Sequence, residues 1–263
     1  MAKLIASVPL LRVPEAARRC ASRASRGREP PATVYNPTFT LPESRPRVES
    51  PRLDIAFVSD VACPWCAIGL AAIDRALERL GGEVEVSVSV EPFELNPDMG
   101  PAGEEVVPYI ARKYGRTPEQ IAQVQARIRE NGKAVGFTFG KREHVWNTFD
   151  AHRMLHWAGL EGRAVELKRE LLRAYHGEGR NPGAHDVLVE LAGRVGLDPA
   201  RAKAILESGE YAAEVRERER HWLQMGVSGV PFVVVNNAYA IEGAQAPEAF
   251  EQAFRQMAQS SPA

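Results

Sequence analysis

A pair of cysteines, Cys63 and Cys66, constrains this chain more than any other feature of its sequence. They lie in "SDVACPWCAIG", residues 59–69, between two regular patterns. The mostly apolar run before them, "LDIAFV" at residues 53–58, predicts a buried strand. After them, apolar side chains repeat at helical spacing and predict a helix over residues 64–80. The CPWC sequence therefore lies where a helix begins shortly after a strand.

Regular patterns continue along the chain. "EVEVSVSVE", residues 83–91, alternates valine with polar residues and predicts a second strand, so the expected arrangement is a parallel strand–helix–strand unit. Residues 104–226 are almost wholly helical in pattern and include the capping sequence "TPEQ". Strand character returns at residues 230–243, where Asn236-Asn237 predicts a turn, and a last helix begins at Pro247.

These patterns predict an α/β fold in which two strand-bearing ends form one sheet and a helical middle is inserted between them. We divide the chain at the points where the pattern changes. The predicted segments are a tail (1–52), the first half of the sheet domain (53–93), a helical insertion (94–226) and the second half of the sheet domain (227–258).

The tail differs in composition from the rest of the chain. Residues 1–28 hold seven basic residues and one acidic residue, and residues 29–52 hold six prolines. Such a segment buries too little apolar surface to fold alone. An Arg- and Ser-rich targeting peptide and an unstructured extension are the two interpretations. The third cysteine, Cys20, lies here, and we interpret it as an incidental thiol.

Charge and hydropathy exclude several classes of partner. With 33 basic and 34 acidic residues, the chain offers no basic excess for nucleic acid. No apolar run approaches the roughly 18 residues that cross a bilayer, so we expect no membrane span. The expected partners are protein or small-molecule thiols and disulfides, with monomer and homodimer both open. The lack of a convincing secretory signal favours the cytoplasm, and the tail leaves organelle targeting open.

The position of the two cysteines suggests dithiol chemistry. At the start of a helix, Cys63 faces unpaired backbone N–H groups and the positive end of the helix dipole, which favours the thiolate. Cys66 lies one turn along the same face and can attack a mixed disulfide formed at Cys63. Pro64 is preorganised for the first helical turn and has no N–H to mask the nucleophile.

A zinc site and a structural disulfide are the competing interpretations. Structural zinc needs four ligands, and the predicted folded region holds no further cysteine. His152 and His156 have the spacing for one helix face but lack the glutamate of an HExxH motif. A disulfide across so short a loop would constrain the unfolded chain little. We therefore expect no metal.

A second signature is the Val230-Pro231 pair in "GVSGVPFVVV". Proline is the residue that forms cis peptide bonds at low cost, so a cis Pro231 opposite the dithiol is one interpretation. It would present the Val230 backbone to an extended peptide or to glutathione. An ordinary trans proline that opens an edge strand is the alternative.

The chain resembles the DsbA-like branch of the thioredoxin superfamily, specifically its FrnE-like subgroup, relatives of 2-hydroxychromene-2-carboxylate isomerase. The resemblance covers residues 53–257 and is carried by "SDVACPWCAIG", "PFELNPDMG", "NTFDAHRMLHWA", "LLRAYHGEG", "GLD" and "GVSGVPFVVVNNAYAIEGAQ". It implies a thioredoxin βαβ and ββα pair interrupted by a helical domain. It also implies that Cys63 attacks, Cys66 resolves, and Val230-Pro231 forms a cis-proline loop.

A set of six residues is expected to bind the substrate. These are Pro64, Trp65, Val230, Pro231, Asn147 and His152. Asn147, His152 and Arg153 are expected on one helix that faces the dithiol and binds a carboxylate or glutathione, or else forms an ordinary polar helix face. Isomerase relatives commonly carry serine where Cys63 stands, so the cysteine favours redox work. Trp65 replaces the histidine of periplasmic oxidases, which predicts a less acidic thiol than theirs.

We expect a thiol-disulfide oxidoreductase that works through a mixed disulfide and requires no metal or organic cofactor, with glutathione as a candidate co-substrate. The alternative is a glutathione-dependent isomerase or transferase acting on a small aromatic or quinone-like molecule. A non-catalytic, chaperone-like binding module that uses the helical cleft is the third hypothesis.

Overall fold

A computed structural model of the chain describes residues 11–12 and 51–260. The strands in chain order are β1 (Leu11–Arg12), β2 (Arg52–Ser59), β3 (Glu85–Pro92), β4 (Glu104–Glu105), β5 (His144–Val145), β6 (Phe232–Val235) and β7 (Tyr239–Glu242). The α-helices are α1 (Pro64–Leu80), α2 (Val106–Tyr114), α3 (Pro118–Val135), α4 (Phe149–Leu160), α5 (Ala164–Leu172), α6 (His185–Arg194), α7 (Pro199–Ser208), α8 (Ala212–Gln224) and α9 (Pro247–Ser260). A π-helical turn, Arg173–Gly177, continues α5.

The main sheet has the strand order β1-β7-β6-β2-β3. Strands β2 and β3 are parallel and are connected by α1, which confirms the predicted strand–helix–strand unit. Strand β6 pairs antiparallel with both β2 and β7. Asn236 and Asn237 turn the chain between β6 and β7 with φ of 52° and 50°, as their sequence predicts. The two ends of the chain therefore form one sheet.

Helix α1 and helix α9 cover one face of this sheet. Alternate side chains of β2 point into that layer, where Leu53, Ile55 and Phe57 are at most 1% exposed. Phe250 and Phe254 of α9 join the same cluster. Helix α1 spans the predicted residues, with proline in its first turn and a left-handed Gly81 at its C-terminal end.

The helical segment between β3 and β6 has a core of its own, and the loop that leads into α1 extends into it. Val61 and Ala62 pack in the same cluster as Leu155, Leu171 and Leu188 of the helices. The turn that carries the dithiol is thus held by the sheet on one side and by the helical core on the other. Separately, helix α3 starts with the predicted capping box at residues 117–120.

Most of the predicted tail, residues 1–52, lies outside the described residues, and the targeting and extension interpretations lie outside them too. Leu11–Arg12 is described and pairs antiparallel with β7, so part of the predicted tail belongs to the sheet. Without β1, strand β7 would present an unpaired edge, which explains why a short segment is held there. Strand β2 begins at Arg52, one residue before the predicted boundary. Within the described residues no helix has the length and apolar character to cross a membrane.

Removing the Phe254 side chain tests whether α9 anchors the sheet. Phe254 is fully buried and stacks on Phe250 with ring centroids 5.7 Å apart. We expect Phe254→Ala to lower the free energy of unfolding by about 3–5 kcal/mol, since it leaves a cavity in the main core. Chemical denaturation followed by circular dichroism measures this. The control Gln252→Ala, on the exposed face of the same helix, should stay within about 0.5 kcal/mol of the parent. An equal loss of unfolding free energy in both variants would contradict the view that α9 anchors the sheet.

Candidate active site

The turn at the start of α1 positions both cysteines. Cys63 is the N-cap residue, and its carbonyl accepts the backbone N–H of Cys66 at 3.1 Å. Its own N–H donates to the Asp60 carbonyl at 3.3 Å. Both thiols are free and buried, with Cys63 4% exposed and Cys66 fully enclosed. The two sulfurs therefore lie on the first turn of one helix, with Cys63 nearer to solvent.

The surroundings shift the pKa values of the two thiols in opposite directions. A hydrogen bond with the Cys66 thiol lowers the pKa of Cys63, with help from the backbone N–H groups of Cys66 and Trp65, and these outweigh burial. Burial raises the pKa of Cys66 well above its usual range, and the neighbouring Cys63 raises it further. Cys63 is thus the thiol that ionises first, and Cys66 keeps its proton to higher pH.

The loop before β6 closes over Cys63. The Val230–Pro231 peptide bond is cis, and the Val230 carbonyl accepts a hydrogen bond from the Cys63 thiol at 3.4 Å. The Val230 N–H makes no hydrogen bond within the described residues. A Cβ on Gly69 would lie 3.1 Å from the Pro231 ring, so the glycine allows α1 to approach this loop closely. A free N–H beside the thiol is what an extended peptide backbone would pair with.

The carboxylate of Asp60, three residues before Cys63, ties the turn to the rest of the molecule. It is fully buried and accepts the Ala62 N–H at 3.0 Å, the Leu95 N–H at 2.7 Å and the Thr148 hydroxyl at 2.8 Å. Burial raises the pKa of Asp60, but the nearby His152 imidazole and the two N–H groups outweigh it and lower the pKa below its usual value. Asp60 is therefore a fixed negative charge behind the dithiol.

Lys168 of α5 is a fully buried lysine of this region. The residue has no exposed surface, and its Nζ has no hydrogen-bond partner among the described residues. Burial lowers the pKa of Lys168, while the charges of Cys66 and Asp60 raise it. In turn, the Lys168 charge lowers the pKa of Cys66. In a low-dielectric interior such a charge acts over several ångströms, so Lys168 offsets the negative charge that a reduced dithiol gains.

The π-helical turn after α5 places a neutral histidine behind the turn that carries the dithiol. His176 is 2% exposed, and its Nε2 lies 2.8 Å from the Val61 carbonyl. Burial and the nearby Arg142 lower the pKa of His176 well below its usual value. Local π-helical geometry is often found at functional sites. The ring supports the loop before Cys63 without adding charge.

A cleft of about 490 Å³ opens over Cys63, Pro64 and Trp65. Helices α2 and α3 form its far wall, and the Val230 loop forms its near edge. The side chains of Tyr109 and Tyr114 line the far wall. The Tyr109 hydroxyl donates to Asn96 Oδ1 at 2.5 Å, which anchors α2 to the loop after β3. Four of the six predicted substrate-binding residues thus lie at the cleft or at its edge, namely Pro64, Trp65, Val230 and Pro231.

Asn147 and His152 lie elsewhere. The Asn147 amide donates to the Met99 carbonyl at 3.1 Å and accepts the Phe149 N–H at 2.8 Å, just before α4 begins. His152 is buried beside Asp60, with Nε2 3.4 Å from Oδ1. It lines a separate cleft of about 470 Å³ between β3 and α4. This placement favours structural roles for both residues. A direct role in substrate binding stays a prediction that the geometry does not support.

Arg153 is also turned away from the dithiol. Its Nε donates to the Glu210 carbonyl at 2.8 Å, and its Nη1 pairs with Asp150 at 2.6 Å. These bonds hold the helical segment together. Within the described residues no cluster of three or more His, Cys, Asp or Glu side chains has the arrangement of a metal site.

The sequence assigned no role to Asp60, Lys168 or His176. Asp60 and His176 lie inside two motifs that carried the resemblance, "SDVACPWCAIG" and "LLRAYHGEG". Lys168 had a weaker signal, because it occupies an inward position of α5 among Leu167, Leu171 and other apolar residues. A charged residue on an apolar helix face was the sign that could have marked it.

Replacing Lys168 tests whether its charge assists Cys66. With the roles predicted from the sequence, reaction with an aromatic disulfide would release a first coloured thiolate when Cys63 attacks and a second when Cys66 resolves the mixed disulfide. We expect Lys168→Met to slow the second release about tenfold at neutral pH and to shift its pH profile to higher pH, because the Cys66 thiolate loses its counter-charge. The matched control is Lys203→Met, which removes an exposed lysine. Equal slowing of both releases, or no slowing, would refute this role.

Comparison with known proteins assigns the family. Residues 54–255 match the DSBA-like thioredoxin domain. The crystal structure of a probable DsbA oxidoreductase from Streptomyces coelicolor is similar with a TM-score of 0.72 and 35% identity, over 80% of this chain and 92% of that one. An uncharacterised Bacillus subtilis protein, YwbO, is 28% identical over 76% of this chain and 94% of its own length. A 2-hydroxychromene-2-carboxylate isomerase structure, 15% identical over 80% of this chain and all of that one, shares the fold with a TM-score of 0.62.

The match spans both halves of the sheet domain and the helices between them, which is the architecture described above. The 35% identity to the Streptomyces coelicolor protein extends over most of both chains. This protein is a member of the DsbA-like thioredoxin domain family.

Proposed function

We propose that this protein is a thiol-disulfide oxidoreductase that exchanges disulfides through Cys63 and Cys66. The opposite pKa shifts of the two thiols carry the proposal. The lowered pKa of Cys63 suits an attacking sulfur, and the raised pKa of Cys66 suits a resolving one. The fold alone would not distinguish this function from that of the isomerase structure. A glutathione-dependent isomerase needs one activated thiol or hydroxyl, whereas a second, buried thiol one turn away suits a two-step exchange.

In the reducing direction, the Cys63 thiolate attacks one sulfur of a substrate disulfide. A Cys63–substrate disulfide forms, and the other substrate sulfur leaves as a thiolate and takes up a proton. Cys66 then loses its proton and attacks the Cys63 sulfur, which releases the second substrate thiol. Two electrons have passed to the substrate, and Cys63 and Cys66 are joined. The oxidising direction is the reverse sequence.

The cleft supplies what this exchange needs around the sulfurs. The Val230 N–H, which has no hydrogen-bond partner in the described part of the chain, can pair with the backbone of a peptide or of glutathione. The side chains of Pro64 and Trp65 line the cleft beside Cys63 and give an apolar floor. No metal or organic cofactor takes part in the steps above, and glutathione serves as a small co-substrate.

Equilibration with glutathione tests the proposal. The full chain carrying Cys20→Ser, which leaves only the CPWC thiols, is incubated across ratios of reduced to oxidised glutathione. Free thiols are then trapped and the species are weighed by mass spectrometry. We expect a reversible loss of two hydrogen atoms with a definable midpoint, and Cys63→Ser should abolish it. A stable glutathione adduct at Cys63 alone, or no oxidation, would overturn the proposal and favour the glutathione-dependent isomerase or transferase.

A further inference from the structure

Three arginines, Arg116, Arg127 and Arg142, contribute to the walls of the cleft over Cys63. Among the residues that the structure describes, no aspartate or glutamate lines this cleft. The chain as a whole is nearly neutral, with 33 basic and 34 acidic residues. The positive charge at the cleft is therefore a local concentration rather than a property of the whole surface.

These arginines differ from most others in the described residues. Arginines away from the cleft are commonly paired with carboxylates, as in Arg169–Asp74 at 2.6 Å and Arg201–Glu210 at 2.5 Å. None of the three cleft arginines has a carboxylate within ion-pair distance among the described residues. Carboxylates of the described part of the chain thus form no ion pair with these three arginines.

Two of the three are held in place by uncharged groups next to the CPWC turn. The Arg127 guanidinium lies over the Trp65 ring, 5.5 Å from its centroid. Arg142 donates to the Ala62 carbonyl at 3.2 Å and lies 5.3 Å from the centroid of the Tyr175 ring. Contacts of this kind orient a guanidinium and leave its positive charge available to a ligand.

We propose that these arginines select disulfides that carry carboxylates near the sulfur atoms, as glutathione disulfide and acidic peptide disulfides do. The inference rests on the proposed function, because it names the substrate class of the same site. A thiolate at Cys63 repels an anionic disulfide, and the arginines offset that repulsion and bind the carboxylates. Charge complementarity of this type acts mainly on the rate of association and weakens as salt is added.

Three small disulfides of different charge test the selection. The probes are glutathione disulfide (anionic), bis(2-hydroxyethyl) disulfide (neutral) and cystamine (cationic), and the rate measured is the attack by Cys63 in a Cys20→Ser/Cys66→Ser chain at low salt. We expect Arg116→Gln/Arg127→Gln to slow the reaction of Cys63 with glutathione disulfide about tenfold. The rate with the neutral probe should stay nearly unchanged, and the rate with cystamine should rise. The matched control is Arg220→Gln, an exposed arginine of α8 without a carboxylate partner among the described residues.

Added salt should reduce the parent's preference for the anionic probe and affect the double variant less. A peptide disulfide flanked by glutamates, compared with its lysine counterpart, then distinguishes peptide from glutathione as the preferred anion. If the glutamate-flanked peptide reacts faster than the lysine-flanked one while the three small probes react at equal rates, the preferred anion is a peptide. Equal slowing of every probe in the double variant would overturn the proposal, because the arginines would then act on the thiol itself.

Alkylation separates failure of this proposal from failure of the proposed function. Iodoacetate is anionic and iodoacetamide is neutral, and both react with Cys63 without any disulfide exchange. The ratio of the iodoacetate rate to the iodoacetamide rate should fall about tenfold in Arg116→Gln/Arg127→Gln and stay constant in Arg220→Gln. If no disulfide reacts but this ratio falls, the oxidoreductase function fails and the anion preference stands. If the ratio is unchanged while the disulfides react, the function stands and the anion preference is wrong.

Discussion

The buried carboxylate of Asp60 is the interaction on which the site depends. It accepts hydrogen bonds from the loop before α1, from the backbone after β3 and from Thr148 at the start of α4. Three parts of the chain that are distant in sequence are thereby fixed around one point. An unpaired charge at this depth would cost several kcal/mol, so the three donors must remain in place whenever the protein is folded. Any shift of the helical segment against the sheet would break this set of three hydrogen bonds to Asp60.

The chemistry of the dithiol follows from where this arrangement places it. Cys63 receives hydrogen bonds at the N-cap of α1, whereas Cys66 lies inside the helix and is fully enclosed. The same helix therefore supplies an acidic thiol and a weakly acidic one. The Lys168 charge lowers the pKa of Cys66, so the inserted helices affect a thiol of the sheet domain as well as forming the cleft wall.

Local patterns predicted much of the fold. Proline and glycine at the two ends of α1 determined its bounds, and Asn236-Asn237 marked the hairpin because asparagine tolerates positive φ. Interactions that join distant parts of the chain were not predictable in this way. The charge of Lys168 acts on Cys66 only because α5 packs against α1. Asn147 looked like a ligand-binding residue, yet its amide holds the loop before α4, since a helix start offers its free N–H groups to any nearby amide.

In the proposed exchange Cys63 attacks and Cys66 resolves. The most direct measurement is to trap the intermediate with a disulfide substrate and to compare Cys66→Ser with Cys63→Ser by mass spectrometry, both in the Cys20→Ser chain. We expect Cys66→Ser to accumulate one stable mixed disulfide at Cys63 and Cys63→Ser to form none at the same pH, because Cys66 is buried and keeps its proton. A mixed disulfide that forms as readily at Cys66 would contradict it.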